Sequence, residues 1–96
     1  MPIVEISVVP VGTKSTSVSQ FVRTAIGVIK KSGLNYELNP MGTCIEGEWD
    51  QIFALIKEIH DVLARMGCHR LVTTVKIDDR RDKKITMKEK VARVVV

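Results

Sequence analysis

The chain has 96 residues, 45% hydrophobic and 27% charged, with 15 Lys and Arg against 11 Asp and Glu for a formal net charge of +4. That is the size and mixture of one globular domain with a single two-layer core, and no apolar run approaches the ~20 residues of a membrane span. The two cysteines, Cys44 and Cys68, form no CxxC pair and are too few for a disulfide scaffold.

The opening run, MPIVEISVVP, has no basic region and carries Glu5 among its apolar residues. It therefore does not read as a secretory signal, and the expected location is cytoplasmic. Residues 3–10 alternate as a half-buried strand, with Val4, Ile6 and Val8 on one face and Ile3, Glu5, Ser7 and Val9 on the other. A polar turn follows at Gly12–Thr16. Ser17, with Gln20 three residues on, then predicts a capped helix start. Val18, Phe21, Val22, Ala25, Ile26 and Ile29 supply its apolar stripe, Lys30 and Lys31 suit its negative end, and Gly33 stops it.

Two strand-like runs near 35–40 and 43–47 meet at Pro40-Met41-Gly42 and predict a hairpin. Glu37, Asn39 and Met41, then Cys44 and Glu46, share one face, while Tyr36, Leu38 and Ile45 share the other. Two carboxylates, an amide, a thiol and a thioether in so small an area resemble a lining rather than a solvated face. A second helix starts near Glu48 with the stripe Ile52, Leu55, Ile56, Ile59, Leu63 and Met66, and stops at Gly67. Residues 69–78 read as the last strand, with Leu71, Thr73, Val75 and Ile77 on one face. The segment from Arg80 to Lys90 interleaves Lys and Arg with Asp and Glu, the pattern of a solvated loop. Thr86 and Glu89 then repeat the capping pattern before a short helix edged by Met87, Val91, Val94 and Val95.

The order β-α-β-β-α-β with a helical tail is the ferredoxin-like plan, an α+β single domain over residues 1–96 with four antiparallel strands and both main helices on one face. The helix stripes must lie on the sheet, so Val4, Ile6, Val8, Tyr36, Leu38, Ile45, Leu71, Val75 and Ile77 turn inward. The opposite face displays Ile3, Glu5, Ser7, Val9, Glu37, Asn39, Cys44, Glu46, Thr74 and Lys76, and nothing obvious in the chain covers it. Such a half-apolar, half-polar face suits a subunit interface with a pocket in it.

Ser7-Val8-Val9-Pro10-Val11-Gly12-Thr13, Ser32-Gly33-Leu34 with Tyr36, Asn39-Pro40-Met41-Gly42-Thr43 and Ile45-Glu46-Gly47-Glu48 resemble the small ferredoxin-like thiamine-binding proteins. The likeness continues through Gly67, Arg70, Arg80, Asp82-Lys83 and Lys90-Val91, covering nearly the whole chain, and the PMGT-x-IEGE run is its most specific part. The resemblance implies a homo-oligomer, commonly a tetramer built by packing open sheet faces. It also implies binding of thiamine or its hydroxymethylpyrimidine half as ligand, with no catalytic residues, no metal and no other cofactor.

Thiamine joins a flat aminopyrimidine to a permanently cationic thiazolium. An Asn side chain matches the pyrimidine's adjacent donor and acceptor, and a carboxylate binds its amine or favours the cation. The candidates are Glu5, Glu37, Asn39 and Glu46, with Val9, Ile3 and Met41 as apolar plates and Ser7 and Thr43 as short hydroxyls. Each has a plainer role: Asn39 caps the turn, Glu46 pairs with Lys76, Glu48 starts a helix, and Met41 fills an interface. Arg80 and Arg81 suit a phosphate or simply a solvated loop.

Rival functions fare worse. An acylphosphatase needs an arginine in a phosphate-cradling loop after the first strand, and residues 10–16 offer only Lys14. His60 and His69 lack an evident catalytic partner and read as surface or interface histidines. A zinc site would have to gather Cys44, Cys68, His60 and His69 without a short ligand pair. RNA-recognition domains stack bases on aromatics of the open face, whereas Tyr36 points inward here; neither nucleic acid nor a membrane is an expected partner. A regulatory module of the same shape, sensing another metabolite at a subunit interface, is the remaining alternative.

Overall fold

Strand alternation and helix periodicity resolve into seven elements in the computed structural model, which describes residues 1–13 and 18–95. They are β1 (Ile3–Pro10), α1 (Ser19–Lys31), β2 (Asn35–Asn39), β3 (Gly42–Glu46), α2 (Trp49–Arg65), β4 (Leu71–Asp78) and α3 (Met87–Ala92). The sheet runs β2-β3-β1-β4 with every neighbouring pair antiparallel, the expected ferredoxin-like arrangement. Register places Tyr36, Ile45, Val4 and Ile77 in one helix-facing row and Leu38, Thr43, Ile6 and Val75 in another.

Onto these rows α1 buries Phe21, Ala25, Val28 and Ile29, and α2 buries Ile52, Leu55, Ile59 and Leu63. Val4, Ile45 and Ile59 are fully sealed, each such side chain contributing roughly 1.5–3 kcal/mol through lost apolar exposure. Both long helices end at a glycine in the left-handed region, Gly33 (φ 77°) and Gly67 (φ 101°), where a side chain would be strained. The start of α2 is fixed by Gln51, whose Oε1 accepts the Glu48 N–H at 3.0 Å. His60 sits on the helix–sheet contact rather than at a surface, hydrogen-bonded to the Thr73 hydroxyl of β4.

Several expectations change. The helix α1 begins at Ser19, with the Val18 carbonyl accepting from Phe21 and Val22; the Ser17–Gln20 pattern falls partly outside the described residues. Met41 lies in the turn where the two runs meet, but it is 86% exposed instead of sharing a lining face with Glu37 and Asn39. Leu38 and Val22, expected in the core, are 60% and 42% exposed, because β2 is an edge strand. Glu46 and Lys76 do not lie on adjacent strands, since β1 separates β3 from β4. Most consequentially, the open face is not bare: α3 lies against one end of it.

Candidate ligand-binding site

The open face is ordered in transverse rows. Glu37, Cys44, Glu5 and Lys76 line up across all four strands, one residue from each, because register pairs them in turn. One row towards the sheet end where α3 docks stand Asn35, Glu46, Ile3 and Asp78. Here the short helix is anchored. Its cap forms locally, the Thr86 hydroxyl accepting the Glu89 N–H at 3.1 Å. The Glu46 carboxylate accepts the Met87 N–H, the Met87 side chain is buried, and Lys90 Nζ meets Asp78 Oδ2 at 2.8 Å. Glu46 is itself 8% exposed, and its carboxylate holds the helix down.

The result is a groove. Its floor is the row Glu37–Cys44–Glu5–Lys76 with Ile3, and its wall is Met87, Lys90, Val91 and Val94; this open groove has a volume of about 710 Å³, within the range of small-molecule sites. At the floor's centre the Asn39 amide donates to Cys44 Sγ at 3.4 Å, and the thiol approaches Glu5 Oε2 at 3.9 Å. Burial, and then the charges of Glu5 and Glu37, push the Cys44 thiol above its usual pKa, against the opposing Asn39 hydrogen bond. The floor is thus locally negative in a chain whose net charge is positive. The cations of the β4–α3 loop are partly spent on each other's neighbours, Arg80 on Asp82 at 2.7 Å and Arg81 on Asp79 at 2.8 Å.

A second, smaller cavity of about 240 Å³ lies beside the hairpin tip, between the end of β1 and α1. Val8, Val22, Ile26, Leu38 and Pro40 contribute to its walls. The exposed Leu38 and Val22 are therefore its lips. Of the eight residues picked from the sequence, Ser7, Val9, Asn39, Met41 and Thr43 line this cavity, Glu5 and Glu37 line the groove, and Glu46 lines neither. Thr43 is buried on the helix side of the sheet, where alternation puts it, so it is not a group of the open face. Cys68 lies in the core, away from Cys44.

Comparison with known proteins agrees with this architecture. Residues 4–95 match the family model described as thiamine-binding protein. The chain belongs to the thiamine-binding protein family. It is 39% identical to the UPF0045 protein YqgV of Bacillus subtilis, over 98% of this chain and 94% of the relative. It is 41% identical to a UPF0045 protein of Methanothermobacter thermautotrophicus, over 94% and 92% of the two chains. Among solved structures, the hypothetical protein MJ1052 of Methanocaldococcus jannaschii superposes with a TM-score of 0.88 at 40% identity, covering 97% of this chain and 94% of that one. A Thermotoga maritima protein provisionally assigned to thiamine biosynthesis/salvage gives 0.84 at 32% identity, covering 96% of each.

The structure adds a wall that strand parity could not place: Val91 and Val94 form part of it, and their signal was the apolar edge following the Thr86 cap. Lys76, already on the open face by parity, completes the acidic row from β4 beside Glu5 in place of the expected pairing with Glu46.

Proposed function

We propose that this protein binds thiamine or its hydroxymethylpyrimidine half without chemical conversion, on the open sheet face, as a cytoplasmic homo-oligomer of the tetrameric kind. The observation that carries the reading is the pair of carboxylates, Glu5 and Glu37, flanking Cys44 on the floor of a groove in a thiamine-binding family member. A permanent cation cannot shed its charge on entering a partly desolvated site, so fixed negative groups must compensate it. A carboxylate about 4 Å from the thiazolium gains roughly 4 kcal/mol at the effective dielectric of a protein surface, less where water reaches the pair. The solved relative assigned to thiamine biosynthesis/salvage supports the same ligand class. Assembly is supported by Val9 and Val72, register partners at the end of the open face that α3 leaves free, 49% and 48% exposed.

Isothermal titration with thiamine, hydroxymethylpyrimidine and thiamine diphosphate tests this, with amino acids as controls. Saturable binding of the first two, weakened about tenfold for thiamine by Glu37→Gln (one lost charge-assisted contact), is the expected result. Absence of heat with all three, on folded and ligand-free protein, refutes the reading; selective binding of an amino acid replaces it with the metabolite-sensing alternative.

A further inference from the structure

One face of α3 is buried unevenly. Met87, Val91 and Val94 stand at i, i+4 and i+7 and so share one side of the helix. The turn continues past Ala92, with the Val95 N–H donating to the Val91 carbonyl at 3.2 Å. All three residues line the groove, and a helix lying flat on the sheet would bury them alike. Instead exposure climbs from 7% at Met87 to 49% at Val91 and 75% at Val94. The helix therefore meets the sheet by its first turn and lifts away towards its C-terminal end, and the groove is the wedge beneath it. The attachments match that tilt. Met87 is fixed through its N–H, held by the Glu46 carboxylate, and through its buried side chain. Lys90 meets Asp78, but both side chains are half-exposed and the lysine stem is flexible, so this pair can follow a moving helix. Among the described residues no hydrogen bond or ion pair joins residues 91–95 to the sheet. The ion pairs of the preceding loop, Arg80–Asp82 and Arg81–Asp79, close within the loop itself.

We infer that α3 is a flap hinged at Met87, which closes when the groove is filled and brings Val91 and Val94 down onto the face of a bound ring. This rests on the thiamine reading above and adds how the filled site sheds water. Over an empty groove, closing is opposed: the valines would cover Glu5 and Glu37 and strip water from two carboxylates without supplying a counter-charge. A cationic ring on that row removes the obstacle. It compensates the floor and gives the valines an apolar surface to meet. Closing then excludes water from the cation–carboxylate contacts, which strengthens them. The helix is too short to hold a position by its own hydrogen bonds, so its angle follows what lies under it. A ligand moves such an element only by binding the closed form more tightly than the open one. The valines that move must therefore also contribute affinity.

Hydrogen exchange and calorimetry with thiamine test the flap. At saturating thiamine, the Val95 amide and its neighbours in 91–95 should exchange at least about tenfold more slowly, while the amides of Val4 and Ile45 stay unchanged. Val91→Ala and Val94→Ala install a better helix former and remove only the apolar contact. Each should weaken thiamine roughly three- to tenfold, with exchange at Met87 as in the wild type. Wild-type affinity in both variants, or thiamine binding without slowing over 91–95, makes α3 a fixed wall; either result overturns the flap and leaves the thiamine reading standing. Slowing that appears without ligand as protein concentration rises gives the valines to a second copy of the chain and also overturns the flap. A wild-type protein that binds no thiamine overturns both readings.

Discussion

Replacing Glu46 by alanine probes how the groove acquires its wall. The carboxylate accepts the Met87 N–H across 41 residues of sequence and is nearly sealed from water. Removing it deletes a charge-assisted bond and strands a backbone donor, a loss of roughly 1.5–3 kcal/mol. A helix of six residues has almost no stability of its own in water, so the loss falls on its docking rather than on the sheet. The helix should therefore open locally while the core stays folded. In hydrogen exchange, the Met87 amide should exchange roughly tenfold to a hundredfold faster, since each 1.4 kcal/mol is a factor of ten. Amides of Val4 and Ile45, in the sealed rows, should keep their protection. Glu46→Gln retains an acceptor and should give the smaller part of the effect. Unchanged exchange at Met87 in Glu46→Ala would show that Met87 packing and the Lys90–Asp78 pair hold the helix unaided.

Alkylation of Cys44 by iodoacetamide should run slower at pH 8 than that of a free cysteine, with a midpoint displaced upward, because burial and two carboxylates disfavour the thiolate. Glu37→Gln removes one of those charges and should move the midpoint back down; Cys68, 4% exposed, stays silent in the folded protein. Leu38→Ala should cost less than about 1 kcal/mol because the side chain is largely in water, whereas Ile59→Ala, fully buried, should cost about 2–5 kcal/mol. Equal losses in urea unfolding would mean that Leu38 is covered in solution, as by a second subunit.

The architecture was legible because independent signals agreed. Period-two alternation in Ile3–Pro10 and Leu71–Asp78, helical stripes over Phe21–Ile29 and Ile52–Leu63, and glycines at 33 and 67 each name an element and its end. What periodicity does not report is whether a partner reaches the face it names. Leu38 turns to the helix side as expected, but on an edge strand that side is only partly roofed. Docking of α3 was hidden for a different reason: the group that Glu46 binds is a backbone amide, which no residue type announces. Glu46 therefore read only as a ligand carboxylate, although one of its oxygens also holds the Met87 amide. Thr43 was chosen for its hydroxyl, but parity turns it to the helix side, where it lines the small cavity.

The small cavity beside the groove traces to hairpin length. The turn at Pro40–Met41 ends the β3 register at Thr43, opposite Ile6, leaving Val8 uncovered. A one-residue change of register would send Glu5 and Cys44 to the helix side, so the sheet does not tolerate it. Lengthening each hairpin strand by two residues preserves parity and is the informative change. The added segment would pair with the free edge of Val8 and occupy the small cavity, making ladder bonds at no cost to the existing rows. Stability in urea should hold or rise, and thiamine binding on the Glu5 and Glu37 row should persist. Loss of thiamine binding in such a variant, with the longer hairpin seen by amide exchange, would place the ligand at the hairpin tip instead of on the open face.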